Sequence, residues 1–493
     1  MRTIRRPSVP VKGKLRFWLT GGAAAVAAAG LVWLARHATP FREVSDGAIL
    51  EIYTLEALRG RLLVGPYSRF GWHHPGPLYF YLEAPWYWLS GRHTAGMQAG
   101  ALALNLTAVA GIARTVAAHA TTTSAAALCA ALAWYVWRTG DLMVSPWNPH
   151  VVVLPLVACI VTAAAFAASG RRPLLLWLVL TGSFLVQTHI AMALPVALLM
   201  IAACVAQRGA VAAGWRAAAG IGLAVWLPVI VEQATHHPGN ITRIVAFFAQ
   251  ASAAQTIRDA AAAWSAALTG AFRPGFVVAL GFDLRPVDGT WPLVWSGSAL
   301  ALLAAAAGRA RRQRNGFAMW LAVMCALTSA IALVAATRIR GRIVDHEVFW
   351  ISAVGVIDAA AIAGAFGRPN GRGRTAPLIA AASVVFAAAI GVGGMRRAIA
   401  RPRTVDDHSV DVLARSIEQY VASGVRRPLI HIEQQIWPIA AGALLLADKQ
   451  GIAFAVDDQW RAMFGEAFAR NGREDGEVTI SGSSRQPRLV FGR

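Results

Sequence analysis

Charge is scarce in this chain: 14% of its 493 residues are Asp, Glu, Lys or Arg, against 56% apolar residues. So little charge does not coat a soluble surface of this size, and the composition is that of a protein built to sit in lipid. Cysteine is scarce too. Cys129, Cys159, Cys204 and Cys325 all fall inside apolar segments with no metal-ligand spacing, so they read as small core residues and imply no disulfide. A P-loop, a GxSxG element and a GxGxxG turn between a strand and a helix are all missing. No internal repeat is evident, which counts against an inverted-repeat transporter.

What the chain does have is basic residues in short clusters. The formal net charge is +21, but the arginines sit between apolar runs where the positive-inside rule expects them, so no nucleic-acid partner is implied. A need for about 17–25 apolar residues per span predicts eleven helices, near 16–36, 94–118, 122–139, 149–168, 173–188, 190–206, 217–233, 291–308, 317–336, 348–366 and 376–395. Threading them puts the N-terminal basic run, Arg114, Arg171 with Arg172, Arg208 with Arg216, RARRQR at 309–314 and RPNGRGR at 368–374 on one side. That side is cytoplasmic, the tail lies outside, and the protein is a multi-pass protein of the cytoplasmic (inner) membrane. The first apolar run is longer than a signal-peptide core, and Arg36 spoils the small-residue pattern before Ala38, so an uncleaved first helix is expected.

The predicted fold class is therefore an α-helical polytopic membrane protein with a small C-terminal α/β domain outside the membrane. The membrane domain spans 1–395, with a first outside loop at 37–93, and the outer domain spans 396–493, joined through a linker at 396–410. In the first loop, the stretch 76–90 contains Pro85 and Glu83 among aromatics and reads as a helix lying at the interface. A second outside region, 234–290, holds HHPGN at 236–240 and an alanine-rich helical stretch. The tail alternates strand-like RPLIHIEQ, helix-like WPIAAGALLLADKQG, a second strand IAFAVD, a helix around Trp460–Ala469 and strands near 477–481 and 488–491.

Polar residues that could carry chemistry concentrate in the first loop, among Gly and Pro turn residues. Asp46 opens a short amphipathic helix. It is either that helix's N-cap, a role Ser45 could share, or a general base at the membrane surface. Glu51 lies about 140° further around the helix and does not share a face with Asp46. His73 and His74 precede Pro75-Gly76-Pro77 and are either polar turn residues or site residues; with no third ligand at metal spacing, zinc is not expected there.

Two other loops stand out. TGDLMVSPWNPH, between the third and fourth spans, is a rigid turn whose Asp141, Trp147, Asn148 and His150 form either a plain helix end or the rim of a site. TRIRGRIVDHEVFW at 337–350 places Arg338, Arg340 and Arg342 on the side where the positive-inside rule disfavours them. Either a lipid-linked phosphate compensates them, or the adjacent Asp345, His346 and Glu347 do so internally. Asp358, mid-span in the tenth helix, implies a pathway or a packing role. Gln187 and His189 read as a tight outside turn.

A first helix, an outside loop opening on an acidic residue, an aromatic/His/Pro element, a Tyr-rich interfacial helix and a Gly-bounded entry to the next span together resemble the GT-C class of polyprenyl-phosphate-sugar-dependent membrane glycosyltransferases. The aminoarabinose transferases and protein O-mannosyltransferases belong to that class, and the resemblance is firmest over 40–115. It implies that Asp46 is the catalytic base or holds the acceptor. In the aminoarabinose transferases the next element reads Glu-Lys-Pro-Pro and its Lys contacts the lipid phosphate; here the matching pair is His73-His74, so that contact passes to His74. Arg338, Arg340 and Arg342 would share the donor phosphate. Glu51, His73, Asp141, Asn148, His150, Asp345 and His346 would form an acceptor or site rim. The implied partners are a polyprenyl-phosphate-linked sugar donor, membrane lipid, and a glycan, lipid or protein acceptor. No cofactor has a ligand set, although a divalent metal is compatible with the class. The cytosolic loops are too short to hold a nucleotide-sugar, so the donor must be lipid-borne. The competing readings are a non-catalytic lipid or polysaccharide transporter, whose Arg residues and Asp358 would line a pathway, and a glycan ligase using a diphosphate lipid.

Overall fold

The computed structural model of the chain describes residues 11–250, 255–285, 287, 289–367, 375–483 and 485–492, with side chains from residue 24 onward. The basic run at 1–10 and RPNGRGR at 368–374 lie outside the described residues. Helix α1 (Val11–Arg36) leads into two helices of the first loop, α2 (Ser45–Leu58) and α3 (Leu78–Leu89, with Pro85 inside it). The bundle continues with α4 (Ala95–His119), α5 (Thr122–Arg138), α6 (Asn148–Ser169), α7 (Arg172–Thr188), α8 (Ala193–Ala206) and α9 (Arg208–Thr235). The region between α9 and the next long helix forms α10 (Asn240–Ala249) and α11 (Ile257–Leu268). Helices α12 (Trp291–Arg312), α13 (Gly316–Thr337), α14 (Asp345–Phe366) and α15 (Thr375–Ile399) complete the bundle.

A helix forms at each of the eleven apolar stretches. Among the described residues, seven helices are long and apolar enough to cross a membrane on their own: α4, α6, α9, α12, α13, α14 and α15. Apolar residues surround α6 on every side, as expected of a helix enclosed by others, and its apolar window is 94% buried. Helices α4, α7, α8 and α13 pack around it. Helix α9 starts at Arg208, earlier than the apolar run suggests, because arginine is a good helix former and the helix outlasts its apolar stretch.

The tail forms α16 (Val405–Ala422), β1 (Leu429–Ile432), α17 (Trp437–Lys449), β2 (Ala455–Val456), α18 (Asp458–Phe464), β3 (Glu477–Ser483) and β4 (Gln486–Gly492). The sheet order is β2-β1-β3-β4, with β1 parallel to β2 and β3, and β4 antiparallel to β3. The alternation read from the tail thus becomes one small sheet. The expected linker at 396–410 is corrected. Helix α15 runs to Ile399, and α16 starts at Val405 behind a capping box in which Thr404 and Asp407 satisfy each other's backbone N–H groups. Only five residues, 400–404, remain between them.

Helix α2 was expected to be a short amphipathic helix. It is buried from Ala48 to Ala57, because α3 covers one side and α17 lies across another. The tail is therefore packed on the first loop.

Candidate functional site

A cavity of about 620 Å³ lies where the first loop, the α5–α6 turn, the start of α8, helix α10 and the loop after α13 converge. Asp46 reaches it from the first turn of α2. The N-cap alternative does not hold: Val44 occupies that position without a side-chain cap, and Ser45 takes a left-handed φ of 54°. A non-glycine residue held there marks a position the surroundings over-determine. Instead, the Tyr67 hydroxyl donates to Oδ1 of Asp46, and the Trp147 Nε1–H donates to Oδ2 at 3.1 Å. Burial and the neighbouring Asp46 carboxylate push the Tyr67 pKa up, so this hydroxyl stays a donor.

Residues 65–74 form a tight hairpin. The His74 N–H donates to Pro66 O at 2.7 Å, the Ser68 N–H to Trp72 O at 2.9 Å, and Tyr67 bridges His73. Gly71, at φ +80°, makes the reversal. Gly65 is required for closeness: a Cβ there would sit 2.7 Å from the carbonyls of Gly76 and His74. Extended residues alternate sides, so Trp72 and His74 face the cavity while His73 points away from it. His73 Nε2 meets the Tyr53 hydroxyl at 3.0 Å, and its main chain is clasped by Asn240, which accepts from His73 N at 2.8 Å and donates to His73 O at 2.9 Å.

His74 is a neutral donor rather than a cation. Its Nδ1 accepts the Ile190 N–H at 3.0 Å, which places the ring proton on Nε2. Burial first, then His189 stacked at 4.8 Å, hold its pKa well below the usual value. Burial and His346 pull His189 down to about 3. His189 belongs to the tight turn read from sequence and also lines the cavity.

The three arginines part company. Arg338 lines the cavity, and its guanidinium has no partner among the described residues. Arg340 also lines it but is committed: it stacks over the Phe247 ring at 4.0 Å and donates to the carbonyls of Phe247 and Gln250. Arg342 sits outside the cavity, 84% exposed, and pairs with Asp283 at 2.9 Å. The adjacent acids neutralise none of the three. Asp345 accepts the amides of Leu280 and Gly281 at 2.9 Å each, and Glu347 pairs at 2.8 Å with Arg69, a cavity residue of the first loop.

Of the expected rim, Asn148 and His346 line the cavity, His346 against Trp147 at 5.0 Å. The others do not. Glu51 is fully buried behind α2, where it pairs with Lys449 and accepts from Tyr87 and Thr94. His73 faces Tyr53. Asp141 is exposed and pairs with Arg397 at 2.9 Å. His150 is held behind Trp147 by Ser145 Oγ at 2.8 Å and Ala279 O at 2.9 Å. Asp345 buttresses the 280–281 loop from outside the cavity. Asp358 lines no part of it; its Oδ2 accepts from Ser329 Oγ at 2.5 Å inside the bundle. Sequence reasoning missed Tyr67, Arg69, Phe247 and Phe248, which carry no motif and acquire a role only through the hairpin and α10.

The rest of the cavity is apolar, walled by Ile331, Val334 and Ala335 of α13 and Ala193 and Leu194 of α8. Val334 and Leu194 are also each 45% exposed, so this wall reaches the outer surface of the bundle.

No protein-family model matches the sequence, and no curated protein matches it. Among solved structures, the fold is similar to that of ArnT from Cupriavidus metallidurans bound to undecaprenyl phosphate, with a TM-score of 0.51 and 12% identity over 98% of each chain. At that identity the likeness is one of fold, and it extends along the whole chain. The chain has a GT-C-like fold, as its first loop led us to expect.

Proposed function

We propose that the protein is a glycosyltransferase that moves a sugar from a polyprenyl-phosphate carrier to an acceptor hydroxyl at the outer face of the cytoplasmic membrane. The observation that carries this reading is the composition of the cavity. A carboxylate held at both oxygens by Tyr67 and Trp147 shares it with His74 and with Arg338, whose guanidinium has no partner among the described residues, and the side toward α8 and α13 is apolar. Asp46 accepts the proton of the acceptor hydroxyl as its oxygen attacks the anomeric carbon. The bond between that carbon and the phosphate oxygen breaks, and polyprenyl phosphate leaves. Arg338 and the Nε2–H of His74 hold the charge that gathers on the phosphate, the interaction that usually dominates such transfers. The wall between α8 and α13 gives an apolar tail a lateral way in from lipid. In this reading all eleven apolar helices span, the N-terminus is cytoplasmic, and the tail is an outer domain. Among the described residues no group of three or more His, Cys, Asp or Glu side chains is placed to hold a metal ion.

Transport is disfavoured because Asp358, its expected pathway residue, is bonded to Ser329 away from the cavity. A diphosphate donor is disfavoured because, among the described residues lining the cavity, Arg338 alone has an uncommitted guanidinium. The test is release of polyprenyl phosphate from a lipid-linked sugar by purified protein, with Asp46→Asn beside wild type. The substitution keeps the shape and removes the base, so turnover falls by about 10²–10⁴-fold. Equal turnover in the two proteins would falsify the assignment of Asp46.

A further inference from the structure

We infer that the C-terminal unit is part of the frame of the site: it positions α2, and with it Asp46, chiefly through Lys449. This rests on the reading of Asp46 proposed above. Helix α2 is anchored to the tail along its whole length. Ahead of it, Arg42 pairs with Asp411 of α16 at 2.7 Å, and Gly442 of α17 packs so closely that a Cβ there would lie 2.5 Å from Glu43 O. Midway, Glu51 pairs with Lys449. Two residues on, the Tyr53 hydroxyl donates to Met463 O at 2.9 Å while it meets His73. At the far end Arg59 pairs with Asp448 at 2.8 Å. The tail thus grips the helix that carries Asp46 and, through Tyr53 and His73, the back of the hairpin that carries Tyr67 and His74.

Lys449 is the critical member. It is one of three lysines in the chain, the others being Lys12 and Lys14, and it supplies the cation in direct contact with a fully buried carboxylate. Without it, Glu51 keeps only the hydroxyls of Tyr87 and Thr94, one of its oxygens already having no hydrogen-bond partner. A buried charge stripped of its counter-ion forces its surroundings to move, and here the surroundings are the middle of α2. Asp46 lies five residues away on the same rigid helix. A displacement of about 1 Å of a reacting group is enough to cost about 10²-fold in rate. Lys449 touches no substrate in this scheme and is a positioning residue.

The experiment uses the full chain in lipid, comparing wild type with Lys449→Met, Tyr53→Phe and the charge-free pair Glu51→Gln/Lys449→Met. Amide exchange over 45–58 is read by mass spectrometry, and polyprenyl-phosphate release gives kcat and KM. Lys449→Met is expected to speed exchange in α2 and lower kcat by about 10²-fold with donor KM within about twofold, because the donor cavity wall is not what moves. The double variant, with no charge to bury, recovers slow exchange and most of kcat. If Lys449→Met does not fold, Tyr53→Phe carries the test, since it leaves no stranded charge; faster exchange in α2 together with a lower kcat is expected of it too. Unchanged exchange over 45–58, or faster exchange with kcat unaltered while Asp46→Asn is inactive, overturns the inference. If wild type itself releases no polyprenyl phosphate, the functional reading falls, and the exchange data still decide whether Lys449 holds α2.

Discussion

Replacing the three outer arginines one at a time separates a phosphate-binding residue from two with other work. Arg338 is uncommitted in the cavity, Arg340 is spent on the Phe247 ring and two carbonyls, and Arg342 is solvated and paired with Asp283. A hydrogen bond to a charged group is worth about 1.5–3 kcal/mol. Arg338→Ala should therefore lower kcat/KM for the lipid-linked donor by about 10- to 150-fold, at 1.36 kcal/mol for each factor of ten. Because phosphate charge grows as the sugar leaves, much of that loss belongs in kcat. Arg338→Lys keeps the charge, loses the planar fork and should fall between the two. Arg342→Ala removes an exposed ion pair worth about 0.2–1 kcal/mol to stability and should leave turnover within about threefold of wild type. Arg340→Ala should be intermediate, acting by loosening α10. The assay is the initial rate of polyprenyl-phosphate release over a range of donor concentrations. Equal losses for Arg338→Ala and Arg342→Ala, or a harmless Arg338→Ala, would refute the assignment of the phosphate site.

Other outcomes follow from the partners of Asp46 and from the buried groups of the first loop. Tyr67→Phe removes one of the two donors that aim Asp46 and should reduce turnover by about tenfold or more, whereas a phenylalanine that supports wild-type turnover would mean the carboxylate needs no aiming. His73 is buried and neutral, its pKa drawn down to about 4, against about 6.5 in the unfolded chain. Between those values the unfolded state takes up a proton that the folded state refuses, so this contribution is complete above about pH 6.5 and is lost as pH falls toward 4. Glu43 acts with the opposite sign: burial and the nearby Glu51 raise it to about 7, so its contribution is present at low pH and lost as pH rises through 7. Melting temperatures by tryptophan fluorescence from pH 8 to 4.5 should therefore show a shallower acid-side loss in His73→Gln. The change for Glu43→Gln should run the other way, and parallel curves for all three proteins would contradict both shifts.

The helices of the bundle were legible because a lipid span imposes a length and a composition that little else shares. So were α3, from apolar residues around Pro85, and the strands of the tail, from alternation. Helix α16 was missed although Val410, Leu413, Ala414 and Ile417 mark a helical stripe and Thr404 with Asp407 a capping box; the basic run before it reads as a loop. At the site, the first-loop resemblance pointed to Asp46 and His74, and the positive-inside rule pointed to Arg338, Arg340 and Arg342 together without separating them. Apart from that resemblance, nothing in the residues tells which of the two histidines faces the cavity. The hairpin that sorts them is made of Gly, Pro and aromatic residues with no strand pattern, and its register is set by main-chain bonds. Glu51 looked like a second loop carboxylate for a similar reason. What buries it, Lys449, lies almost a chain length away, and no local pattern announces such a pairing.

One substitution connects these features. In the aminoarabinose transferases, which the first loop resembles, a lysine meets the lipid phosphate; the resemblance puts His74 in that place, and His74 is buried, stacked on His189 and kept neutral. A neutral donor offers direction but no net charge, and transferring a phosphate-linked sugar requires charge to be met as the bond breaks. In the proposed reaction the cation comes from another element, and Arg338, on the loop after α13, faces the same cavity with no partner among the described residues. A lysine at position 74 would not serve in its place. It would put an ammonium group against His189 in a buried pocket, where desolvation works against the charged form, and it would lose the Nδ1 that accepts the Ile190 N–H. In the proposed reaction, histidine in the first loop and arginine after α13 meet the phosphate charge together.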